Sequence, residues 1–390
     1  MDEFTDGVGN EYVLQTAVGA YAEEAYTEAK RLGTTAVVNR NSNIDTSIEN
    51  FSGQMRWFTP MNPIINIASL IDPTDGIPSN YGSAFLRYIK TVRTQGAYKV
   101  NMSELITGDD GIKRISDRFA DTRATDENNS VLSVLKGVAI SEALRGAGAG
   151  SGSAGLGGQT FDNDPTDAKY GFYVDLGSDP VITTLGSGAS RIEGLIEGIG
   201  MAFKDYEPEY AYLVANPTLM AALRSANLIG TDRITDGNID FESILNGKLR
   251  LIMGRSNLNL STAELSAINA GAGIDIVGTK TSFIILPGAI ALEPLNVPKP
   301  VGIDTDESAY HGGGTTDIWY RWGYVAHPTG YDWRGLDTKF PSNADYMGVT
   351  VGADSDAIIP LAGATGDLRP VWQRKSSSAL SLGILPIFHG

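Results

Sequence analysis

Three features of the sequence predict a mixed α+β fold. Residues 107–146 contain the longest helical pattern, and residues 51–80 combine strand-forming apolar side chains with four prolines. The second half of the chain alternates short strand patterns with short helical ones. We therefore expect the second half to form an α+β or α/β unit that is distinct from the first half.

The N-terminal 50 residues predict a helix followed by an arm. Apolar side chains recur at helical spacing over residues 10–32, and Gly33 supplies a stop. This helix could pack on its own domain or reach a neighbouring subunit. Residues 34–50 are polar and rich in asparagine, which is typical of an extended arm or a flexible lead-in.

Residues 51–80 predict an edge-strand excursion or a long hairpin. Proline excludes a helix here and disfavours a central strand. The segment carries many apolar side chains for a loop, so they need a surface to cover, either on the parent domain or on another subunit. The candidate inter-subunit contacts are Trp57, Phe58, Met61, Ile64 and Ile65.

A helix of about 35 residues, on the order of 50 Å long, is predicted next. Thr107 and Asp110 have the spacing of a capping box, and Arg145 followed by Gly146 is a typical C-terminal end. The middle of this pattern, residues 121–130, is polar. We therefore expect part of the helix to be exposed.

Further elements are predicted downstream. Residues 146–158 are a Gly/Ala/Ser-rich flexible loop, and residues 189–204 are helical. Residues 210–229 predict a strand running into a short helix, with Asn216 as its cap and Pro217 at its first position. Strands are also predicted at residues 248–254, 282–286, 315–326 and near 380–388.

Composition excludes several classes of function. The chain has 30 Lys and Arg against 46 Asp and Glu, a net charge of -16, which argues against broad binding of nucleic acid or of an anionic membrane. There is no cysteine, so disulfides, thiolate nucleophiles and sulfur-ligated zinc are excluded. No apolar stretch approaches the roughly 20 residues of a membrane span. The acidic N-terminus does not read as a secretory signal.

No motif in the sequence predicts an enzyme, a cofactor or a metal. Residues 150–155 match the dinucleotide pattern, but a helix precedes them instead of a strand. The acidic segments 162–167 and 304–307 lack the EF-hand pattern and are expected to be solvated loops. We expect His327 and His389 to be turn histidines whose rings bond to backbone, rather than bases of a serine triad.

Five short stretches, taken in order, resemble a known family. They are the segment ending in LKGV at 131–138, the strand–Asn-Pro–helix at 213–223, LPGAI at 286–290, WGYVAHPTGYDW at 322–333, and WQRK at 372–375. In this order they resemble the major capsid proteins of tailed bacteriophages with the HK97 fold.

The resemblance implies an HK97-like capsid fold with a long spine helix. Its parts would be an N-terminal arm at 1–50, an E-loop at 51–98, a P-domain with the spine helix at 99–205, an A-domain at 206–300, P-domain return strands at 301–345 and a C-terminal extension at 346–390.

The resemblance also implies a structural protein of the virion capsid, not an enzyme. Copies would form hexamers and pentamers of an icosahedral phage head around double-stranded DNA, which is held non-specifically. Portal and scaffolding proteins are implied partners, and a decoration protein is a further candidate. An encapsulin-like compartment shell, or a hydrolase with an unrecognised carboxylate pair, stays open as an alternative. No membrane partner is expected.

Overall fold

The computed structural model describes the chain in segments. These are residues 22, 38–39, 43–58, 83–100, 111–145, 173–175, 210–225, 229, 234–236, 239–241, 243–244, 248–253, 258–272, 276–306, 315–336, 339–352, 357–366, 368–375 and 383–390.

The described elements confirm a mixed α+β fold with few helices and many strands. In chain order they are β1 (Val38–Asn39), β2 (Ser52–Phe58), β3 (Ser83–Ile89), β4 (Thr91–Val100), α1 (Gly111–Arg145), β5 (Val174–Asp175), β6 (Ala211–Ala215), α2 (Pro217–Ser225), β7 (Ile234–Asp236), β8 (Ile239–Phe241), β9 (Ser243–Ile244), β10 (Leu249–Met253), α3 (Thr262–Ala272), β11 (Lys280–Ile285), β12 (Ile290–Pro294), β13 (Val301–Asp306), β14 (Thr315–Pro328), β15 (Tyr331–Trp333), a 3-10 turn (Asp345–Met347), β16 (Val349–Val351), β17 (Leu368–Pro370), β18 (Trp372–Arg374) and β19 (Ile384–His389).

The first large sheet is built around β14. Strand β4 pairs antiparallel with one edge of β14, while β13 and β12 follow each other along its other edge. Strand β1 extends the sheet by pairing parallel with β12. Alternate side chains in the first half of β14 are buried, which is the pattern of a strand with one covered face.

The second large sheet has the strand order β5-β19-β11-β6-β10-β9. Strand β6 leads directly into α2, and the Thr218 amide donates to Asn216 Oδ1 at 3.2 Å. This confirms the predicted strand, cap and helix. Strand β19, the last in the chain, lies beside β11, so part of segment 346–390 belongs to this sheet.

Helix α1 has 35 residues and ends at Arg145, as the sequence predicts. It contacts β14 of the first sheet, β11 and β19 of the second, α3, and the C-terminal strands β17 and β18. Its second half is buried almost continuously. Helix α1 therefore forms part of the buried core against both large sheets.

The polar middle of α1 is exposed only in part, and most of it is buried. Arg123, Glu127 and Ser130 are buried, while Asp121 and Thr125 are exposed. Arg123 Nε lies 3.2 Å from Glu127 Oε1, and its Nη1 donates to the Tyr320 hydroxyl at 2.9 Å. Polar partners on β14 satisfy the buried groups, which makes their burial tolerable.

Several predicted elements lie outside the described residues. Of the helix predicted over 10–32, the structure describes only Ala22, which is helical and buried. The others are the capping box at 107–110, the loop at 146–158, the helix at 189–204 and the motif at 150–155.

Candidate inter-subunit hairpin

Strands β2 and β3 form a hairpin-like pair that is separate from both large sheets. They pair antiparallel from Ser52 opposite Ile89 to Phe58 opposite Ser83. Residues 59–82, which join them, lie outside the described residues. The paired strands confirm the predicted antiparallel excursion of the chain.

One face of this hairpin is buried against the first sheet. Met55, Leu86 and Tyr88 are buried and share an apolar cluster with sheet residues. Those sheet residues are Ala291, Leu295 and Val325.

The other face of the hairpin is open. Arg56 and Phe85 are directly opposite each other in the register, and both are exposed. The Phe85 side chain is 64% exposed. Among the described residues, Phe85 is the most exposed of the large apolar side chains, which makes this face a candidate contact surface.

The five predicted contact residues fall at or beyond the far end of this pair. Trp57 lies opposite Ala84 and Phe58 opposite Ser83. Met61, Ile64 and Ile65 lie outside the described residues.

Sequence reasoning missed Phe85. The alternation in SAFLRYI places Phe85 and Arg87 on one face of a strand and Leu86 and Tyr88 on the other. That pattern was available in the sequence, but it does not show which face is covered.

The segment 322–333 carries the most distinctive of the five stretches, and it anchors the hairpin. The Arg87 amide donates to Asp332 Oδ1 at 2.7 Å. Asp332 Oδ2 also lies 3.1 Å from Arg334 Nε and 3.4 Å from Lys375 Nζ. A single carboxylate on β15 therefore ties the hairpin to the C-terminal strands.

The same segment supplies polar side chains that hold α1 on β14. Asp126 Oδ2 accepts the Tyr324 hydroxyl at 2.7 Å and the Trp322 indole N–H at 3.2 Å. Arg93 Nε on β4 lies 3.6 Å from Asp126 Oδ1. Burial raises the pKa of Tyr324 well above its usual value, and the nearby charge of Asp126 raises it further. The phenol therefore stays protonated and remains a donor.

A buried ion pair joins α1 to β18. Glu142 Oε2 lies 3.3 Å from Arg374 Nη1, and its other oxygen accepts the Tyr331 hydroxyl at 2.9 Å. Both charged side chains are buried. Loss of either partner would leave a buried charge uncompensated, which is strongly destabilising.

A second ion pair joins α1 to α3 beside the second sheet. Lys136 Nζ lies 3.1 Å from Glu264 Oε1 and donates to the Asn259 carbonyl at 2.9 Å. Glu264 also accepts the Ser261 amide at 2.7 Å, and its own amide donates to Ser261 Oγ at 3.2 Å, as in a capping box. Glu264 therefore takes part in the cap of α3 and also fixes α3 to α1.

The histidines do not form a catalytic site among the described residues. His389 Nε2 lies 2.9 Å from Ser282 Oγ, but both side chains are buried, so a substrate has no access to the pair. The predicted backbone contact of His389 is present as a 3.2 Å approach of Nδ1 to the Gly390 oxygen. For His327 that prediction was wrong, because neither of its ring nitrogens has a hydrogen-bond partner. His311 lies outside the described residues.

No protein-family model matches the chain, and no curated protein matches it. It is similar to the solved capsid structures of cyanophage P-SCSP1u (10% identity, TM-score 0.41, 93% of this chain and 92% of that chain), Ralstonia phage GP4 (13%, 0.44, 78% and 86%) and Helicobacter pylori bacteriophage KHP30 (10%, 0.40, 91% and 89%).

Two kinds of site are absent from the described residues. Among them, no group of three or more His, Cys, Asp or Glu side chains is arranged to hold a metal ion. Nor does any described helix have the length and apolar character needed to cross a membrane.

Proposed function

We propose that this chain is a major capsid protein of a tailed bacteriophage with the HK97 fold. Copies would assemble into hexamers and pentamers and close an icosahedral shell around double-stranded DNA. The chain would act as a structural protein of the virion, with portal, scaffolding and decoration proteins as further partners.

The observation that carries this proposal is the β2–β3 hairpin. It is separate from both large sheets, one face is anchored to its own subunit, and the other presents the exposed Phe85 beside Arg56. Such a projection gains little for an isolated subunit but provides a contact for a neighbouring copy.

The remaining architecture supports the same function. Polar contacts fix the 35-residue helix α1 to β14, β15 and α3, which supports a rigid subunit core that repeats in every copy. One residue of each contact, namely Tyr324, Tyr331 or Lys136, falls within the stretches at 131–138 and 322–333, on which the family resemblance partly rests.

Size and shape in solution test the proposal directly. We expect the purified chain to form megadalton particles by size-exclusion chromatography, seen as closed shells by negative-stain microscopy. A chain that stays monomeric, or forms only a small oligomer, would overturn a capsid function.

The hairpin assignment is tested by the double variant Trp57→Ala, Phe58→Ala. We expect it to block shell formation more than it lowers the thermal unfolding midpoint of the subunit, because the proposed hairpin contacts are made between subunits. Normal shells from the double variant would remove the assignment.

A further inference from the structure

Lys90 is a buried cation at the base of the hairpin, between β3 and β4. Its side chain has 0% exposure, yet Nζ donates to Asp45 Oδ2 at 2.8 Å and to the Ser47 carbonyl at 2.6 Å. Both acceptors come from one short segment that precedes the hairpin in the chain. A buried ammonium is tolerated only with such partners.

That segment, residues 44–47, is held from two sides, and we call it the strap. On the hairpin side, the Asp45 amide donates to the Tyr88 hydroxyl at 2.8 Å. On the sheet side, the Asn296 amide donates to the Thr46 carbonyl at 2.9 Å, and Asn296 Nδ2 donates to Thr46 Oγ1 at 3.0 Å. Ile44 is buried in the apolar cluster between the hairpin and the first sheet.

The hairpin is shaped to receive the strap. Gly53 lies opposite Tyr88 in the register, and a Cβ at Gly53 would lie 2.5 Å from Tyr88 Cζ. Glycine at this position therefore lets the tyrosine ring lie across β2 and present its hydroxyl to Asp45. Ser47 completes the arrangement, since its amide and hydroxyl donate to the Asp45 carboxylate at 3.0 and 2.8 Å.

We propose that the strap sets the direction in which the hairpin leaves the first sheet. Lys90 couples the position of the strap to the position of the hairpin. When the strap is docked, Lys90 is paired and buried. When the strap leaves, Lys90 loses both of these acceptors and must reach water, which requires the base of the hairpin to move. The role of this coupling in assembly rests on the function proposed above.

The physical basis is that intermediate positions of the strap have a higher free energy than its docked and released positions. A half-released strap would leave the ammonium buried without its carboxylate, which costs far more than either end state. The Asp45 side chain is 56% exposed, so the carboxylate itself can be hydrated as it leaves. The hairpin base therefore has two preferred arrangements instead of a continuous range.

Hydrogen exchange on the unassembled full-length chain tests this coupling. In Asp45→Asn, we expect exchange of amides at 43–50 and 85–90 to become about tenfold faster or more. In the double variant Asp45→Asn, Lys90→Met, we expect protection to return towards wild type, because no buried charge remains. Asp317→Asn, an exposed aspartate on β14, is the matched control and should leave both segments unchanged.

Amides at 131–140 in α1 report the global fold. Wild-type protection of 43–50 and 85–90 in Asp45→Asn would overturn the proposal. So would faster exchange throughout the chain that Lys90→Met does not reverse. Because the measurement is made without shells, a chain that never assembles would overturn the proposed function and still give a clear result for the strap.

Discussion

His327 is a buried base whose protonation opposes folding. Burial lowers its pKa from 6.5 to about 3; the nearby Tyr331 backbone offsets part of this without reaching hydrogen-bond geometry. The unfolded chain therefore binds a proton more readily than the folded one, and stability falls as pH drops below about 6.5. We predict that urea unfolding shows a loss of up to about 1.4 kcal/mol per pH unit between about pH 6.5 and pH 4 from this residue.

The variant His327→Phe is the test of this assignment. His327 packs edge-to-face on Trp372, with ring centroids 5.5 Å apart, and phenylalanine keeps that packing without titrating. The pH dependence should become shallower in the variant. A residual slope of the same sign is expected from His389, whose pKa burial lowers to about 4. An unchanged slope in His327→Phe would contradict the assignment.

At the level of elements, the close approach of α1 to the C-terminal region depends on Gly137. A Cβ at this position would lie 2.7 Å from Trp372 Cδ1 and would also meet the Tyr346 carbonyl oxygen. Alanine normally stabilises a helix by about 1 kcal/mol relative to glycine. Here we predict that Gly137→Ala destabilises the chain by about 1–3 kcal/mol in chemical denaturation, because the added methyl group overpacks the contact.

The control for this prediction is Asp121→Ala, which changes an exposed residue of the same helix. Its effect should stay within about 0.5 kcal/mol. If Gly137→Ala stabilised the chain as helix propensity alone predicts, the close packing of α1 on the 3-10 turn and β18 would be wrong.

The end of α1 and the start of α2 could be predicted from the sequence. The distant residues that pair with buried polar side chains could not. Arg145 and Gly146 mark the end of α1, and Asn216 marks the start of α2, because caps are local signals. The burial of Arg123 depends on Tyr320, far along the chain, and that of Lys90 depends on Asp45. No local pattern encodes such pairs, so the sequence does not show how much of the polar middle of α1 is buried.

For the whole molecule, the distribution of charge matters more than its sum. The chain carries a net charge of -16, so copies brought together repel one another. Strands β2 and β3 carry two basic residues, Arg56 and Arg87, and no acidic one. Lys90 and Arg93, which follow them, are paired with Asp45 and Asp126. A locally basic hairpin on an acidic chain favours contact with another copy, and it makes that contact weaker at high salt.

The exposed face of the hairpin gives the decisive prediction for assembly. Phe85→Asp should leave subunit stability within about 0.5 kcal/mol of wild type, because the side chain is 64% exposed. It should reduce the fraction of chain in shells, since it puts a charge where an apolar contact with an acidic neighbour is expected. Val277→Asp, at a side chain 47% exposed, is the matched control and should assemble normally. Equal shell yields from the two variants, measured by sedimentation, would show that this face of the hairpin does not contact a neighbouring subunit.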